Sequence, residues 1–243
     1  PPCIHYRMRN SHSHRTPTRG PNHYNCLAYD GPGQGAALRE QHLFFRHDWE
    51  QVLTPVVDYA RARIEIDSQR VVAYGYSLGG LLVARAAAFE HRLAAIVLDD
   101  GLFDYFEAST KMVPHWILDS ILTGRDSEAE QALSQAMIEN TSLRWALRNG
   151  VWTFGADSKV DYVRRSQPYT LKDVVDRIST PALIFDPDND FAFAGEPQRL
   201  HQALPGSSEL VTLREADGLG ERCSYGGRST VHQIMFDWLD ATL

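Results

Sequence analysis

The stretch VVAYGYSLGGLLVARAAAF, Val71 to Phe89, decides the architecture. Val71 to Tyr76 is a short apolar run rich in β-branched and aromatic residues, the composition of a buried strand. Leu78 onward is built from leucine, alanine and small residues, which suits a helix packed on all sides. Between the two lies Gly75-Tyr76-Ser77-Leu78-Gly79, a G-x-S-x-G pattern at a predicted strand-to-helix junction. Glycines at Gly75 and Gly79 let the backbone turn sharply there and leave the serine hydroxyl projecting above the sheet. The amide of Leu78, at the start of the predicted helix, then faces the position where negative charge develops if Ser77 attacks a carbonyl.

The same alternation extends in both directions. NCLAYD reads as a buried strand that ends at DGPGQG, and HDWEQVLTPVVDYARARI as a helix with one apolar stripe. LAAIVLDDG, PALIFDPDND and ELVTLREA read as further strands, EPQRLHQAL as a helix between the last two. STVHQIMFDWLDATL closes the chain as a helix with Ser229 as its expected N-cap. Strands alternating with helices predict an α/β fold, a mostly parallel sheet with helices on both faces. A long, tryptophan-bearing, mostly helical stretch at about 102–171 interrupts the alternation and reads as a cap inserted over the strand ends. No internal repeat is evident.

At 243 residues the chain is long enough for one α/β domain with a sizeable core. No apolar run approaches the roughly 20 residues that cross a bilayer, and no segment reads as a signal peptide, so no membrane partner is expected. Net charge -7 argues against general nucleic-acid binding. Cys3, Cys26 and Cys223 are few and far apart, with neither disulfide-framework nor metal spacing. A reducing, cytoplasmic setting is therefore expected. Residues 1–23 stand out: the segment has no acidic residue and carries Arg7, Arg9, Arg15, Arg19 and four histidines. It reads as a basic, disordered tail rather than a metal-binding tract, with a short strand at Cys3 to Met8 as its one ordered element. The domain proper is expected over 24–243. Asn140-Thr141-Ser142 matches a glycosylation sequon, which carries little meaning in a cytoplasmic setting.

Three other motifs are weaker. The glycines of DGPGQG do not match G-x-G-x-x-G and no helix is expected promptly after them, so the loop does not read as a dinucleotide site. Asp186-Pro-Asp188-Asn-Asp190 begins like a calcium loop, but Phe191 stands where that loop needs glycine and Pro197 where it needs glutamate. An acid just past a late strand is instead placed to orient a catalytic base; Asp190, furthest beyond the strand, is the first candidate and Asp188 the second. Trp116, Trp145, Trp152 and Phe154 of the insert are expected mostly in its core, with one or two lining a pocket for a planar substrate.

Taken together, YNCLAYDGPGQGAALRE, DWEQVLTPVVDYA, GYSLGGLLVARAAAFEHRLAAIVLDDG, RWALRNGVWTFGA and FDWLDATL resemble one branch of the α/β-hydrolases. It contains the polyketide-shortening hydrolases of fungal melanin pathways and the dihydroxypseudooxynicotine hydrolases. The resemblance runs from about Tyr24 to Leu243. It implies an α/β-hydrolase fold with a helical cap and a Ser-Asp-His hydrolase acting on a carbon–carbon bond next to a ketone, or on an ester. The implied partner is a small-molecule substrate; no cofactor and no metal are implied, and a homodimer is compatible. On this resemblance Ser77 matches the nucleophile, Asp190 the triad acid and the Leu78 amide an oxyanion donor.

The chain departs from that pattern twice. The branch carries its histidine in a segment like GAGEHC; here Gly218-Leu219-Gly220-Glu221-Arg222-Cys223 puts Arg222 in the base position. A guanidinium stays protonated and cannot take a proton at neutral pH. His201 and His232 are the histidines that follow Asp190, and His232 is the better substitute. Secondly, family members have a longer N-terminal part, with a strand between those of NCLAYD and RVVAYGY and a loop giving a second oxyanion donor. Here CIHYRM could stand in for the strand and nothing resembles the loop. The composition is that of a truncated gene model or out-of-frame translation, which resequencing the transcript would decide. Two alternatives stand beside hydrolysis: a non-catalytic binding relative in which Arg222 holds an anionic group, and a nicotinamide-dependent reductase, which DGPGQG disfavours.

Overall fold

The computed structural model describes residues 4–9, 24–64 and 66–243. In chain order the strands and helices are β1 (Ile4–Arg9), β2 (Tyr24–Tyr29), α1 (Gly35–Arg39), α2 (Glu50–Arg61), β3 (Val71–Tyr76), α3 (Leu78–Ala87) and β4 (Ala95–Asp99). Five helices follow: α4 (Tyr105–Thr110), α5 (His115–Leu122), α6 (Asp126–Glu139), α7 (Thr141–Thr153) and α8 (Lys159–Ser166). β5 (Ala182–Pro187), α9 (Glu196–Ala203), β6 (Ser208–Leu213) and α10 (Arg228–Thr242) complete the chain.

The chain divides into two compact units. The first comprises 1–30, 48–103 and 171–243; the second comprises 31–47 and 104–170. The first unit holds a six-stranded sheet in the order β2-β1-β3-β4-β5-β6. β3 to β6 run parallel, with Tyr76 opposite Asp99 and Asp99 opposite Phe185. The side chains of β3, β4 and β5 are buried on both faces, as in parallel sheets covered on both sides, and so read as unbroken apolar runs in the sequence. On one face Val72, Tyr74, Val97, Leu183 and Phe185 share a core with Val231, Met235 and Leu239 of α10. On the other, α3 packs on β3 and β4, α2 on β3 and α3, and α9 on β5 and β6.

The sheet position between β2 and β3 is filled by β1, which runs antiparallel to both neighbours, with Tyr6 opposite Leu27 on one side and Ala73 on the other. The strand expected at Cys3 to Met8 thus forms at Ile4–Arg9, and the backbone groups of β2 and β3 are paired rather than exposed. The remainder of the expected basic tail, 10–23, lies outside the described residues, as does Cys3.

The second unit is helical apart from an isolated bridge between Asp104 and Thr170. Three of its helix starts are capped by local side chains: Asp104 accepts from Glu107 N, Asn140 from Leu143 N and Ser158 from Asp161 N. Asn140, the sequon residue, thus serves as a cap. Phe154 is the hub of the core, with ring centroids 4.9 Å from Tyr169, 5.1 Å from Tyr162 and 5.4 Å from Phe45.

Three local expectations are corrected. Trp116, Trp145 and Trp152 are 56%, 64% and 48% exposed, so only Phe154 of that aromatic set is core. These tryptophans lie on amphipathic helices whose buried stripes are made by Ile117, Leu147 and Gly150 instead. A helix does follow DGPGQG promptly, the five-residue α1 beginning at Gly35. The closing helix begins at Arg228 with Gly227 as N-cap, because the double glycine 226–227 ends the preceding loop one residue before Ser229 can cap it. Among the described residues no helix is long and apolar enough to cross a membrane.

Candidate active site

β3 delivers the chain to Ser77, and α3 starts one residue later. Ser77 has φ 58° and ψ -126°, a conformation that L-residues rarely adopt. It is held there by its own amide, which donates to Asp99 O at 2.8 Å, and by Gly80 N, which donates to Ser77 O at 2.8 Å. The glycines explain how so tight a turn is possible. A Cβ on Gly75 would stand 2.1 Å from Gly79 O, and one on Gly80 would stand 2.7 Å from Asp100 O. Leu78 occupies the first turn of α3, where amides lack intrahelical acceptors. The strand-to-helix turn is therefore tight, with a half-buried Ser77 at its apex.

Arg222 sits beside that serine. Its Nη2 donates to Ser77 Oγ at 2.6 Å, its guanidinium lies 4.0 Å from the centroid of the Phe193 ring, and its Nε is 3.8 Å from Asp100 Oδ2. The loop that carries it is pinned from two sides. Asn189 N donates to Gly220 O at 3.0 Å and Asn189 Nδ2 to Glu221 Oε1 at 3.1 Å. Beyond Arg222, Cys223 N donates to Asp100 Oδ1 at 3.1 Å, Cys223 Sγ to Asp100 Oδ2 at 2.8 Å and Ser224 Oγ to Asp99 Oδ1 at 3.0 Å. Tyr76 donates to Cys223 O at 3.0 Å. Cys223 and Ser224 both have positive φ, 57° and 55°, so this loop is strained and held by its contacts.

The three acids of DPDND go to separate partners. Asp186 accepts from Gln198 Nε2, and Asp188 Oδ1 accepts from Glu215 N at 2.8 Å. Asp190 is buried. Its Oδ1 accepts from Ala192 N at 2.8 Å and Phe193 N at 3.2 Å, while its Oδ2 is buried without a hydrogen-bond partner. Among the described residues no cluster of three or more histidines, cysteines or acids is arranged to hold a metal.

Neither later histidine meets Ser77. His201 Nδ1 pairs with Ser208 Oγ at 2.8 Å, at the start of β6 and so at the end of the sheet opposite the serine. His232 lies on α10 with its ring 6.4 Å from that of Phe236, whose own ring stacks on Tyr24.

Two site residues were not singled out from the sequence: Asp99 and Asp100. Both are buried, at 2% and 0% exposure, and Asp100 has φ 64°. Burial raises the Asp99 carboxyl to about 6 against the bonds it accepts from Tyr74 and Ser224. Burial, then the neighbouring Asp99 charge, pushes Asp100 up to about 7. Burial and the Asp100 charge push the Cys223 thiol well above its ordinary range, so it is a protonated donor rather than a thiolate. A signal was present in the sequence, since two acids end an otherwise apolar strand in LAAIVLDDG.

A serine at a strained strand-to-helix turn, on a parallel sheet between α/β layers, defines a class of protein: the α/β-hydrolases. The chain belongs to the alpha/beta hydrolase family, whose model matches residues 8–220. It is 31% identical over 236 residues to Hydrolase LUC6 of a Fusarium species, which covers 91% of this chain and 56% of that protein. It is 32% identical over 235 residues to the 20-hydroxy-prefusarin hydrolase FUS2 of Gibberella moniliformis, with the same coverage of 91% and 56%. The chain thus spans little more than half the length of these curated relatives. Among solved structures, the 2,6-dihydroxy-pseudo-oxynicotine hydrolase superposes with a TM-score of 0.63 at 20% identity, covering 89% of this chain and 51% of that one. These relatives fall in the branch that the sequence resembles.

Proposed function

We propose that this chain is a serine hydrolase of the polyketide-acting kind in which the proton-transfer step is suppressed. Ser77 is the nucleophile and the Leu78 amide an oxyanion donor, and Asp190 is the residue that matches the branch's triad acid. The substrate class, a small molecule with a carbon–carbon bond next to a ketone or an ester, is taken from the branch. The observation that carries the reading is the 2.6 Å contact between Arg222 Nη2 and Ser77 Oγ. Attack by Oγ on a carbonyl carbon forms the C–O bond and pushes the carbonyl electron pair onto oxygen. The Oγ proton must leave in the same step. A guanidinium already holds its protons and has no lone pair for another. Its donation to Oγ also draws electron density from the attacking oxygen and weakens it as a nucleophile. Where a serine protease loses its base histidine, kcat falls on the order of a millionfold.

The test is hydrolysis of an activated aryl ester by the chain, by Arg222→His and by Ser77→Ala. Arg222→His is expected to exceed the parent by at least 100-fold, the low end of what a positioned general base supplies, with Ser77→Ala at background. Three equal rates would overturn the reading. A second reading, a non-catalytic binding protein, is favoured by the packing of Arg222 on Phe193 and its ion pair with Asp100, which make the guanidinium part of the site's framework. Fluorophosphonate labelling separates the two: a nucleophilic Ser77 labels in Arg222→His, and a serine that serves only binding labels in neither form.

A further inference from the structure

We propose that Asp100, the residue that follows β4, is the acid that positions side chain 222 over Ser77; the inference rests on the reading that 222 is the base position. Two sets of contacts support it. Asp100 Oδ2 is the carboxylate oxygen that forms an ion pair with Arg222, at 3.8 Å from Nε, and Asp190 forms none with it. The same carboxylate grips the next residue in the chain through both oxygens, Oδ1 taking Cys223 N at 3.1 Å and Oδ2 taking Cys223 Sγ at 2.8 Å. Asp100, together with the Tyr76 hydroxyl on Cys223 O, thus holds the left-handed φ of Cys223, 57°, next to residue 222.

Asp100 is itself a rigid anchor. It has no exposed surface and closely follows a strand paired on both sides. Its carbonyl is pressed against Gly80 of α3, where even a methyl group would come within 2.7 Å. Its neighbour Asp99 accepts the Ser77 amide through its carbonyl and the Ser224 hydroxyl through its side chain. One corner of the sheet thus fixes both the nucleophile turn and the loop opposite it. Asp190 is placed differently. One oxygen is committed to the amides of its own turn and the other has no partner. Asp190 shapes the turn under Phe193, and Asp100 serves as the positioning residue for position 222.

The first measurement is the rate at which the Arg222 Nε–H exchanges with water, read by proton–nitrogen NMR on the whole chain, with the signal assigned by its loss in Arg222→Lys. Asp100→Asn is expected to raise that rate at least tenfold, and Asp190→Asn to leave it within twofold. The reverse pattern overturns the proposal. If Asp100→Asn does not fold, as judged by far-ultraviolet circular dichroism, Asp190→Asn decides alone: an unchanged rate supports the proposal and a tenfold rise overturns it. The second measurement uses the Arg222→His background. There Asp100→Asn should lower kcat at least tenfold more than Asp190→Asn with KM little changed, and Asp100→Glu should recover part of the loss. An inactive Arg222→His chain would count against the function proposed above, while the exchange rates would still judge Asp100.

Discussion

Gly75→Ala tests whether the elbow is as tight as its geometry requires. The new Cβ would stand 2.1 Å from Gly79 O, 2.5 Å from Gly79 C and 2.8 Å from Gly80 N. Every one of these is a backbone atom of the first turn of α3, so no rotamer change relieves the clash, and the nearest falls more than an ångström short of ordinary contact. β3 and α3 are both buried, so they can part only by disturbing their other neighbours. Overpacking of this kind costs about 1–3 kcal/mol, and a clash confined to backbone belongs at the upper end, about 3 kcal/mol. For a chain of this size that is a fall in melting temperature of roughly 6–12 °C. The matched control is Gly195→Ala in the same unit. Gly195 has φ +88° with nothing within 4 Å of an added Cβ, so only the left-handed strain of about 1–2 kcal/mol applies. A displacement of Ser77 by about 1 Å should also slow fluorophosphonate labelling in the Arg222→His background on the order of 100-fold. If Gly75→Ala melts within 2 °C of the parent, about the effect of 1 kcal/mol or less, or labels at the parent rate, the elbow is not the constraint described.

Other outcomes follow from the same contacts. Arg222→Gly should gain aryl esterase activity at least tenfold on addition of millimolar imidazole, a diffusible base, and the double variant with Ser77→Ala should not; equal rates with and without imidazole would count against a site that lacks only its base. Stability should fall as pH rises from about 4 to about 7, because the folded chain holds the Asp100 proton to about 7 whereas the unfolded chain releases it near 3.8. The contribution is present in full below the unfolded value and is lost through the folded one, with Asp99, Asp190, Cys223 and Arg222 as the groups around it. The loss attributable to Asp100 is at most about 4 kcal/mol, measured as the difference in urea midpoints between the parent and Asp100→Asn at pH 5 and pH 7.5; parallel pH curves would refute it. Tyr74→Phe removes the 2.7 Å bond to buried Asp99 Oδ2 and should cost about 1–3 kcal/mol, read from the same denaturation curves.

The middle of the sheet was legible because β3, β4 and β5 are buried on both faces. Val71–Tyr76, Ala95–Asp99 and Ala182–Pro187 have no polar face to break their apolar runs, and glycine or acid marks where each one stops. The elbow was legible for a local reason, since five adjacent residues determine whether the turn can form. The acids ending LAAIVLDDG were a visible signal, but the contacts of Asp100 were not legible, because they are made with Cys223, distant in the sequence and brought close by the fold. The conformation of the 222–224 loop was hidden for a related reason: cysteine and serine do not favour positive φ, and distant partners supplied by Asp99, Asp100 and Tyr76 help hold them there. The tryptophans of the helical unit misled because size suggests burial, whereas their helices bury smaller residues at helical spacing.

The surroundings of Arg222 bear on why a guanidinium persists in a base position. Asp99 and Asp100 are adjacent, buried and raised by burial, and the Asp99 charge opposes ionisation of Asp100. A site with that much buried negative potential gains from a permanent cation. Arg222 supplies one on the loop, braced by the Phe193 ring, and Arg228 supplies a second, bonded to Tyr76 and lowering the cost of the Asp99 charge. Neutral imidazole at position 222 would accept the serine proton but would withdraw the cation from beside Asp100. Asp100 would then either hold its own proton or draw one onto the imidazole, and in either state the serine has a weaker acceptor than an unperturbed histidine. If the proposed function holds, the same guanidinium that suppresses proton transfer is the ion-pair partner of Asp100, and a restored base is expected to gain activity and lose stability together.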